Sequence, residues 1–156
     1  MDNYLVTFMA SFLIWFMFLG IFVLWVVDGK IKKEQALHAL LSSLVAWMVV
    51  EMLKSLTETA RPFVVNGADP LTLTVPNGYA FPSAHTAIAF AIAITIWLHD
   101  RTVGYVFLAL AVLVGVGRII ANVHYPVDVI GGAVIGIIVA LLIENIHPER
   151  LLKKKR

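Results

Sequence analysis

Five long apolar segments dominate this sequence and restrict what the chain can fold into. They cover residues 5–27, 36–56, 84–98, 103–121 and 127–143. Each approaches or reaches the ~20 residues that cross a hydrocarbon core as a helix, the third only if it is tilted or extended by its flanks. With 60% hydrophobic and 14% charged residues, the chain has too little polar surface for a soluble globule. The sequence therefore predicts an all-α, polytopic transmembrane helix bundle of about five spanning helices.

The chain is predicted to form one integral-membrane domain over residues 1–156. No internal repeat, low-complexity stretch or linker divides it. The first apolar segment is too long for the apolar part of a secretory signal peptide, and no Lys or Arg precedes it, so we expect a retained helix. Because the sequence contains no cysteine, disulfides and thiolate chemistry are excluded.

The basic residues indicate how the segments are oriented. Nine of the twelve Lys and Arg residues fall between segments one and two, between three and four, or after segment five. If every segment crosses the membrane once, all nine lie on one side, and the positive-inside bias makes that side the cytoplasm. The sequence therefore predicts an outward N-terminus and a cytoplasmic C-terminus.

The other three cations, Lys54, Arg61 and Arg118, fall at the outer ends of segments, against this bias. A cation near the bilayer is costly and usually marks a functional site. The alternative is that each side chain extends its charged end to the outer interface. For one residue the two interpretations are balanced. Three together favour an anion site, and phosphate best suits so many donors.

Four further polar residues are predicted at the same outer surface: Ser83 and His85 at the start of segment three, His124 and Asp128 at the start of segment five. Asp128 follows His124 by one helical turn, so its carboxylate can orient the imidazole and raise the basicity of the other ring nitrogen. A histidine held in this way can act as a nucleophile or a base. His85 has no carboxylate close in sequence, which suits a general acid.

Three motifs occur in an order and spacing typical of a known family. KSLTETARP at 54–62 is Lys, six residues, Arg-Pro, and PSAH at 82–85 is Pro-Ser-x-His. GRIIANVHYPVD at 117–128 contains Arg, five residues, His, three residues, Asp. Over most of its length the chain resembles the type 2 phosphatidic acid phosphatase superfamily, membrane lipid phosphate phosphatases related to acid phosphatases and vanadium haloperoxidases.

The resemblance implies which residues bind phosphate. Lys54, Arg61 and Arg118 would hold the phosphoryl oxygens, assisted by Ser83 and the backbone amides around Ala84. No cofactor and no metal is expected, because the three cations take the part that a metal ion plays elsewhere in stabilising charge on a phosphoryl group.

The resemblance also implies the chemistry. His124 would attack phosphorus and form a phosphohistidine with Asp128 orienting it, His85 would protonate the departing oxygen, and water would hydrolyse the phosphoenzyme. The predicted substrate is a lipid phosphate or diphosphate at the outer leaflet. Undecaprenyl diphosphate is the first candidate, and phosphatidylglycerol phosphate and phosphatidic acid follow.

Two other functions remain as alternatives. A lipid phosphotransferase would use the same phosphohistidine and pass the group to another lipid. A non-catalytic membrane protein that binds lipid phosphate needs the cations but no oriented nucleophile, so the pairing of His124 with Asp128 favours an enzyme.

The expected partners are the substrate lipid and the bilayer, with no nucleic acid, in the cytoplasmic membrane of a bacterium or archaeon. The family often has glycine at the position of Ala84 and serine at that of Gly117. Its membrane members mostly have six core helices, and this chain is expected to lack the first. The gap would either admit a lipid tail or be filled by a second copy in a homo-oligomer.

Three other features of the sequence lie outside the motifs. The loop at 63–81 is predicted as a short outer loop, either a hairpin or a flap over the site. The histidines outside the motifs, at positions 38, 99 and 147, are interpreted as structural residues on the cytoplasmic side. Glu51 either neutralises Lys54 or bonds a neighbouring helix, and the second interpretation is favoured.

Overall fold

A computed structural model describes residues 4–27 and 33–145, and these residues form helices and loops without a β-strand. The helices are α1 Tyr4–Ser11, α2 Leu13–Val27, α3 Lys33–Thr57, α4 Pro62–Asn66, α5 Ala84–His99, α6 Arg101–Ile120 and α7 Pro126–Asn145. The prediction of an all-α transmembrane bundle is confirmed.

Each of the five predicted spans corresponds to a helix or to a bent pair of helices, and one of these helices, α5, is short. By length and hydropathy, Gln35–Asn66, Arg101–Ile120 and Pro126–Asn145 can each cross a membrane, and α1 with α2 makes a fourth, bent span. Helix α5 is apolar but only 16 residues long, about 24 Å against a hydrocarbon core of ~30 Å. Large apolar side chains, among them Trp15, Trp47 and Ile138, are exposed on the outside of the bundle, as a lipid-facing surface requires.

Helix α5 lies at the centre of the bundle, in contact with α3, α6 and α7. Gly132 and Gly136, one turn apart on α7, face it at close range. A Cβ at either position would collide with the backbone carbonyl of Ser83 or Ala87. The glycines therefore allow a close helix approach, and they hold the first turns of α5 and α7 side by side.

The first apolar segment is not one straight helix. Helices α1 and α2 meet at Phe12 with a bend of 55°. In a continuous helix the carbonyl of Ala10 would accept from the amide of Ile14, but here it accepts from Arg118 Nη1 at 2.9 Å. Neither proline nor glycine stands at the bend, so the sequence carries no local signal for it.

The segment between α3 and α5 is a loop that begins with the short helix α4. It contains no strand, so of the two predicted forms the hairpin is wrong. Gly67 and Gly78 have φ of 69° and 73°, a conformation that glycine adopts without strain and that the two Asn-Gly pairs predict. The amide of Leu71 donates to the carbonyl of Ala121 at 3.0 Å, which ties the loop to the end of α6.

Most of the basic residues that predict the orientation lie outside the described side chains. Arg101 is the exception, and its guanidinium lies 3.4 Å from the centroid of the Trp97 ring. The prediction for the C-terminus also falls outside the described residues, as does that for the histidine at position 147.

Candidate active site

The three motifs meet at one end of the bundle. Helices α3 and α6 end there, and α5 and α7 begin there. The side chains surround a cavity of about 220 Å³ lined by Trp47, Glu51, Lys54, Arg61, Pro76, Ala84, His85, Ile88, Arg118 and His124. Five of the seven predicted site residues therefore line one cavity, although they are spread over 71 positions of the sequence, from 54 to 124.

His124 lies in the turn between α6 and α7 with both ring nitrogens engaged. Its Nδ1 is 3.3 Å from Asp128 Oδ2, and its Nε2 is 3.3 Å from Arg61 Nη1. Because a guanidinium can only donate, Nε2 is the acceptor and the proton of the neutral ring resides on Nδ1, facing the carboxylate. The geometry thus fixes the tautomer that leaves the cavity-side nitrogen with its lone pair.

The surroundings of His124 keep its ring uncharged. The side chain is 3% exposed. Burial first, and then the positive charges of Arg118 and Arg61, lower the pKa of His124 to about 4, while the hydrogen bond with Asp128 acts in the opposite direction. At neutral pH the ring is therefore uncharged.

Asp128 supports His124 from behind the cavity. The carboxylate is fully buried, and its Oδ2 also accepts from the amide of Tyr125 at 2.8 Å. The backbone carbonyl of Asp128 accepts from the amide of Ser83 at 3.0 Å. The same residue thus orients the histidine and links the start of α7 to the start of α5.

Most of the N–H donors of Arg61 bind backbone carbonyls of the loops around the cavity. Its Nε donates to the carbonyl of Gly78 at 2.9 Å, its Nη2 to that of Asn77 at 3.1 Å, and its Nη1 to that of Val123 at 3.1 Å. Together with the contact to His124, these bonds occupy four of the five N–H groups of the guanidinium. Arg61 therefore shapes the cavity as well as contributing charge to it.

Arg118 keeps more of its donors free. The described residues give it one side-chain hydrogen bond, from Nη1 to the carbonyl of Ala10, and its buried Nε has no partner. An unsatisfied buried donor is costly unless a ligand completes it. Gly117 makes the contact with α1 feasible, because a Cβ there would lie 2.8 Å from Met9 Cβ. The glycine that replaces the usual serine therefore admits α1 against the site.

Lys54 lines the cavity but is paired. Its Nζ donates to Glu51 Oε1 at 2.8 Å, and the Glu51 side chain is 45% exposed. The sequence favours a bond from Glu51 to a neighbouring helix. The structure shows the alternative, with Glu51 as the partner of Lys54. A carboxylate at the rim competes with any phosphate for this cation.

Ser83 is a predicted phosphate ligand, but it does not line the cavity. It is fully buried as the residue preceding α5, and its Oγ accepts from Thr86 Oγ1 at 3.0 Å. Pro82 lies before this cap, and Pro126 is the first residue of α7. Ala84 and His85 follow Ser83 in the first turn of α5 and line the cavity.

Several residues of the site carry no motif signal. Trp47, Pro76 and Ile88 form apolar parts of the cavity wall. The backbone carbonyls of Asn77 and Gly78 hold Arg61. The Asn-Gly turn marks this stretch as a loop, but a backbone acceptor has no sequence signature, so these contacts could not be predicted.

Comparison with known proteins agrees with this arrangement. Residues 35–151 match the PAP2 superfamily. The chain is similar to the bacitracin transport permease protein BcrC of Bacillus licheniformis, at 32% identity over 145 residues covering 92% of this chain and 70% of that protein. It is also similar to undecaprenyl-diphosphatase BcrC of Bacillus subtilis, at 29% identity over 119 residues covering 76% of this chain and 61% of that protein.

Solved structures share the architecture. Aquifex aeolicus LpxE superposes with a TM-score of 0.74 at 26% identity, covering 93% of this chain and 88% of that one. The first transmembrane PAP2 type phosphatidylglycerolphosphate phosphatase from Bacillus subtilis gives 0.69 at 22% identity, covering 100% of this chain and 80% of that one, and bears on the fold alone.

The fold and the site together define an integral membrane protein with a cavity of about 220 Å³ lined by three cations and an oriented histidine. The chain belongs to the PAP2 superfamily, as its three motifs predict. This membership makes it a lipid phosphatase, and the prediction of an enzyme is confirmed over that of a non-catalytic binder.

Proposed function

We propose that this lipid phosphatase hydrolyses a polyprenyl diphosphate, with undecaprenyl diphosphate as the first candidate, through a phosphohistidine on His124. Several relatives support the choice of substrate: proteins named undecaprenyl-diphosphatase from Bacillus subtilis and Sulfolobus acidocaldarius are 29% and 28% identical to the chain. The observation that carries the mechanism is the position of His124 between Asp128 and the cavity, with its Nε2 lone pair facing inward.

The proposed reaction has two steps. His124 Nε2 attacks the terminal phosphorus, a P–N bond forms, and the bond from phosphorus to the bridging oxygen breaks. The lipid leaves as its monophosphate, with His85 as the proton donor to the departing oxygen. Water then attacks the phosphorus of the phosphohistidine, so that a P–O bond forms and the P–N bond breaks. His85 takes up a proton of this water, and inorganic phosphate is released with the lone pair restored to His124 Nε2.

Three cations replace a metal ion in this scheme. Among the described residues, Arg118 has donors without a partner and Arg61 has one such N–H. Lys54 supplies a charge that the phosphate takes over from Glu51. Charge on the transferring group spreads over its non-bridging oxygens, where such donors are most effective. The backbone amides at the start of α5 add further donors.

The apolar wall of the cavity supplies a path for the lipid tail. Trp47 and Ile88 line the cavity on the side of α3 and α5, and Trp47 is 45% exposed on the outside of the bundle. A headgroup bound at the cations can therefore send its tail past Trp47 into the bilayer. Because the cavity encloses only the headgroup, it selects for the phosphate group more strongly than for the lipid tail.

The setting of the reaction is also part of the proposal. The whole chain, residues 1–156, forms one phosphatase domain in the cytoplasmic membrane of a bacterium or archaeon, with the site at the outer leaflet and the C-terminus in the cytoplasm. Since the chain has no cysteine, Asp69→Cys in the exposed loop gives a unique thiol. Labelling of this thiol in intact cells by an impermeant reagent supports the outward site, and labelling only after lysis contradicts it.

Phosphate release from a panel of lipids tests the activity and its substrate. Purified protein in detergent is given undecaprenyl diphosphate, phosphatidylglycerol phosphate and phosphatidic acid, with His124→Ala as the control. We expect the diphosphate to react fastest and the variant to release no phosphate while still binding lipid. Faster release from either monoester, or release by His124→Ala, contradicts the proposal. Appearance of phosphate on an added acceptor lipid identifies a phosphotransferase.

A further inference from the structure

A second group of ionisable side chains lies at the end of the bundle opposite the candidate active site. His38 is near the start of α3, His99 is the last residue of α5, and Glu144 is next to the last residue of α7. His38 Nδ1 is 3.4 Å from Glu144 Oε2, and His99 Nε2 is 3.2 Å from Glu144 Oε1. Each of the three residues offers a ligand atom, and these atoms all lie within 4.8 Å of one another.

The hydrogen bond of His99 leaves its second nitrogen facing a carboxylate. His99 Nδ1 lies 2.8 Å from the backbone carbonyl of Thr95. A carbonyl only accepts, so Nδ1 carries a proton, and in the neutral ring Nε2 presents a lone pair to Glu144 Oε1. Two acceptors 3.2 Å apart repel unless a cation lies between them.

His38 gives a second reason to expect a cation beside Glu144. The residue is 8% exposed, and neither of its ring nitrogens has a hydrogen-bond partner among the described residues. Glu144 Oε2, the atom nearest to His38 Nδ1, also lacks a hydrogen-bond donor there. Buried polar atoms are rarely left unsatisfied, because each such atom costs about 1–3 kcal/mol.

We propose that His38, His99 and Glu144 bind a divalent transition metal ion, best Zn²⁺, with water completing the coordination. Two imidazoles and one carboxylate form an established zinc ligand set, and two ligands of one zinc ion in tetrahedral geometry lie about 3.3 Å apart. The carbonyl of Thr95 plays the part of the outer partner that orients a metal-bound histidine. A proton on His99 is the simpler cation, but it satisfies only the pair with Glu144 and leaves His38 without a partner.

The ion would join three helices at the end remote from the phosphate. Helices α3, α5 and α7 carry Lys54, His85 and Asp128 at their other ends, about 21 Å away along α5. At that distance the ion takes no part in phosphoryl transfer. It stabilises the packing of the three helices that assemble the site, and the metal-free chemistry proposed for the cavity is unaffected.

Thermal unfolding of the full chain in detergent tests this proposal without an activity assay. After treatment with a chelator and its removal, Zn²⁺ is added during a series of melts, and Mg²⁺ serves as the comparison ion. We expect Zn²⁺ to raise the unfolding midpoint by about 5–10 °C at a hundredfold excess over Kd, with one ion per chain, and Mg²⁺ to have no effect. Co²⁺ is expected to give visible absorption bands in the same protein.

Variants assign the effect to the cluster. His99→Gln and Glu144→Gln should lose the midpoint shift and the Co²⁺ bands, while Asp69→Asn, which removes an exposed carboxylate at the opposite end, should keep both. If a variant fails to fold, the Co²⁺ spectrum and bound-metal stoichiometry of the unmodified protein still decide. Absence of the shift and of the spectrum in that protein overturns the proposal, as does an equal effect in folded cluster variants.

Discussion

Arg61 Nη1 lies 3.3 Å from His124 Nε2, so the proposed nucleophile and one of its phosphate-binding cations are already in contact. The contact requires a lone pair on Nε2 and hence the proton on Nδ1. In the proposed reaction, incoming phosphate takes the place of this contact. The arginine donor can then move from the ring nitrogen to a phosphoryl oxygen without leaving its three carbonyl partners.

Replacement of Arg61 by lysine tests the importance of this forked geometry. Lysine keeps the charge but cannot reach the carbonyls of Asn77, Gly78 and Val123 and the ring of His124 together. We expect kcat/KM to fall by about 10²-fold or more, and the loop at 67–80 to become more sensitive to protease. Lys54→Arg is the matched control, since the described residues give the Lys54 ammonium one partner, Glu51, and it should keep the loop protected. An Arg61→Lys variant with normal activity would show that charge alone suffices.

Asp128→Asn tests the tautomer of His124. An amide nitrogen facing Nδ1 favours the opposite tautomer, with the proton on Nε2 and no lone pair toward phosphorus. We expect kcat to fall by about 10²–10⁴-fold with little change in lipid binding. Phosphate release and equilibrium binding of the lipid measure the two quantities separately. Equal losses in both would indicate that Asp128 acts only by holding the fold.

His85→Gln distinguishes the two classes of substrate. A diphosphate releases a lipid monophosphate, whose conjugate acid has a pKa near ~6, whereas a monoester releases a far more basic alkoxide. Loss of the general acid should therefore slow monoester hydrolysis by about 10²–10⁴-fold and diphosphate hydrolysis much less. The ratio of the two rates in the variant, divided by that in the unmodified protein, is the measurement. A ratio that does not change would remove His85 from the role of acid.

The low pKa of His124 predicts a pH dependence of stability. Burial lowers its pKa to about 4 from the ordinary 6.5, so between these values the folded protein binds fewer protons at this residue than the unfolded chain. Its contribution is present above pH 6.5 and is lost as pH falls, at up to about 1.4 kcal/mol per pH unit. The unfolding midpoint should drop more from about pH 7 to about pH 5 than that of His124→Gln. Parallel curves would contradict the shift.

Removal of metal ions should affect the two ends of the bundle differently. EDTA should leave phosphate release unchanged well below the unfolding midpoint, because the cavity stabilises charge with cations of the protein. The midpoint itself should fall if the cluster of His38, His99 and Glu144 is occupied. Loss of activity that Mg²⁺ restores at low temperature would refute the metal-free mechanism.

The convergence of the site was predictable because it depends on few physical rules. Apolar length predicts the spans, and alternation of direction then brings the end of α3, the start of α5 and the start of α7 to one surface. The placement of Lys54, His85 and His124 around one cavity follows from that alternation. Their catalytic roles rest on the family resemblance and stay predictions.

What could not be predicted depends on contacts between distant parts of the backbone. The bend at Phe12 is stabilised by a carbonyl bond to Arg118, more than a hundred residues away. Ser83 matches its motif, yet the packing of α5 against α7 buries it behind the cavity wall. His38, His99 and Glu144 come from three different helices, so no spacing in the sequence connects them.

The bond between Arg118 and Ala10 bears on where the functional unit begins. All three motifs lie within residues 35–151, the stretch shared with the family, and a fragment cut to that stretch would contain every residue assigned to the reaction. It would nevertheless lack the backbone acceptor that steadies one of the three cations. Motif boundaries thus understate the unit that positions Arg118, and α1, which carries no signature of its own, contributes to that unit through its main chain.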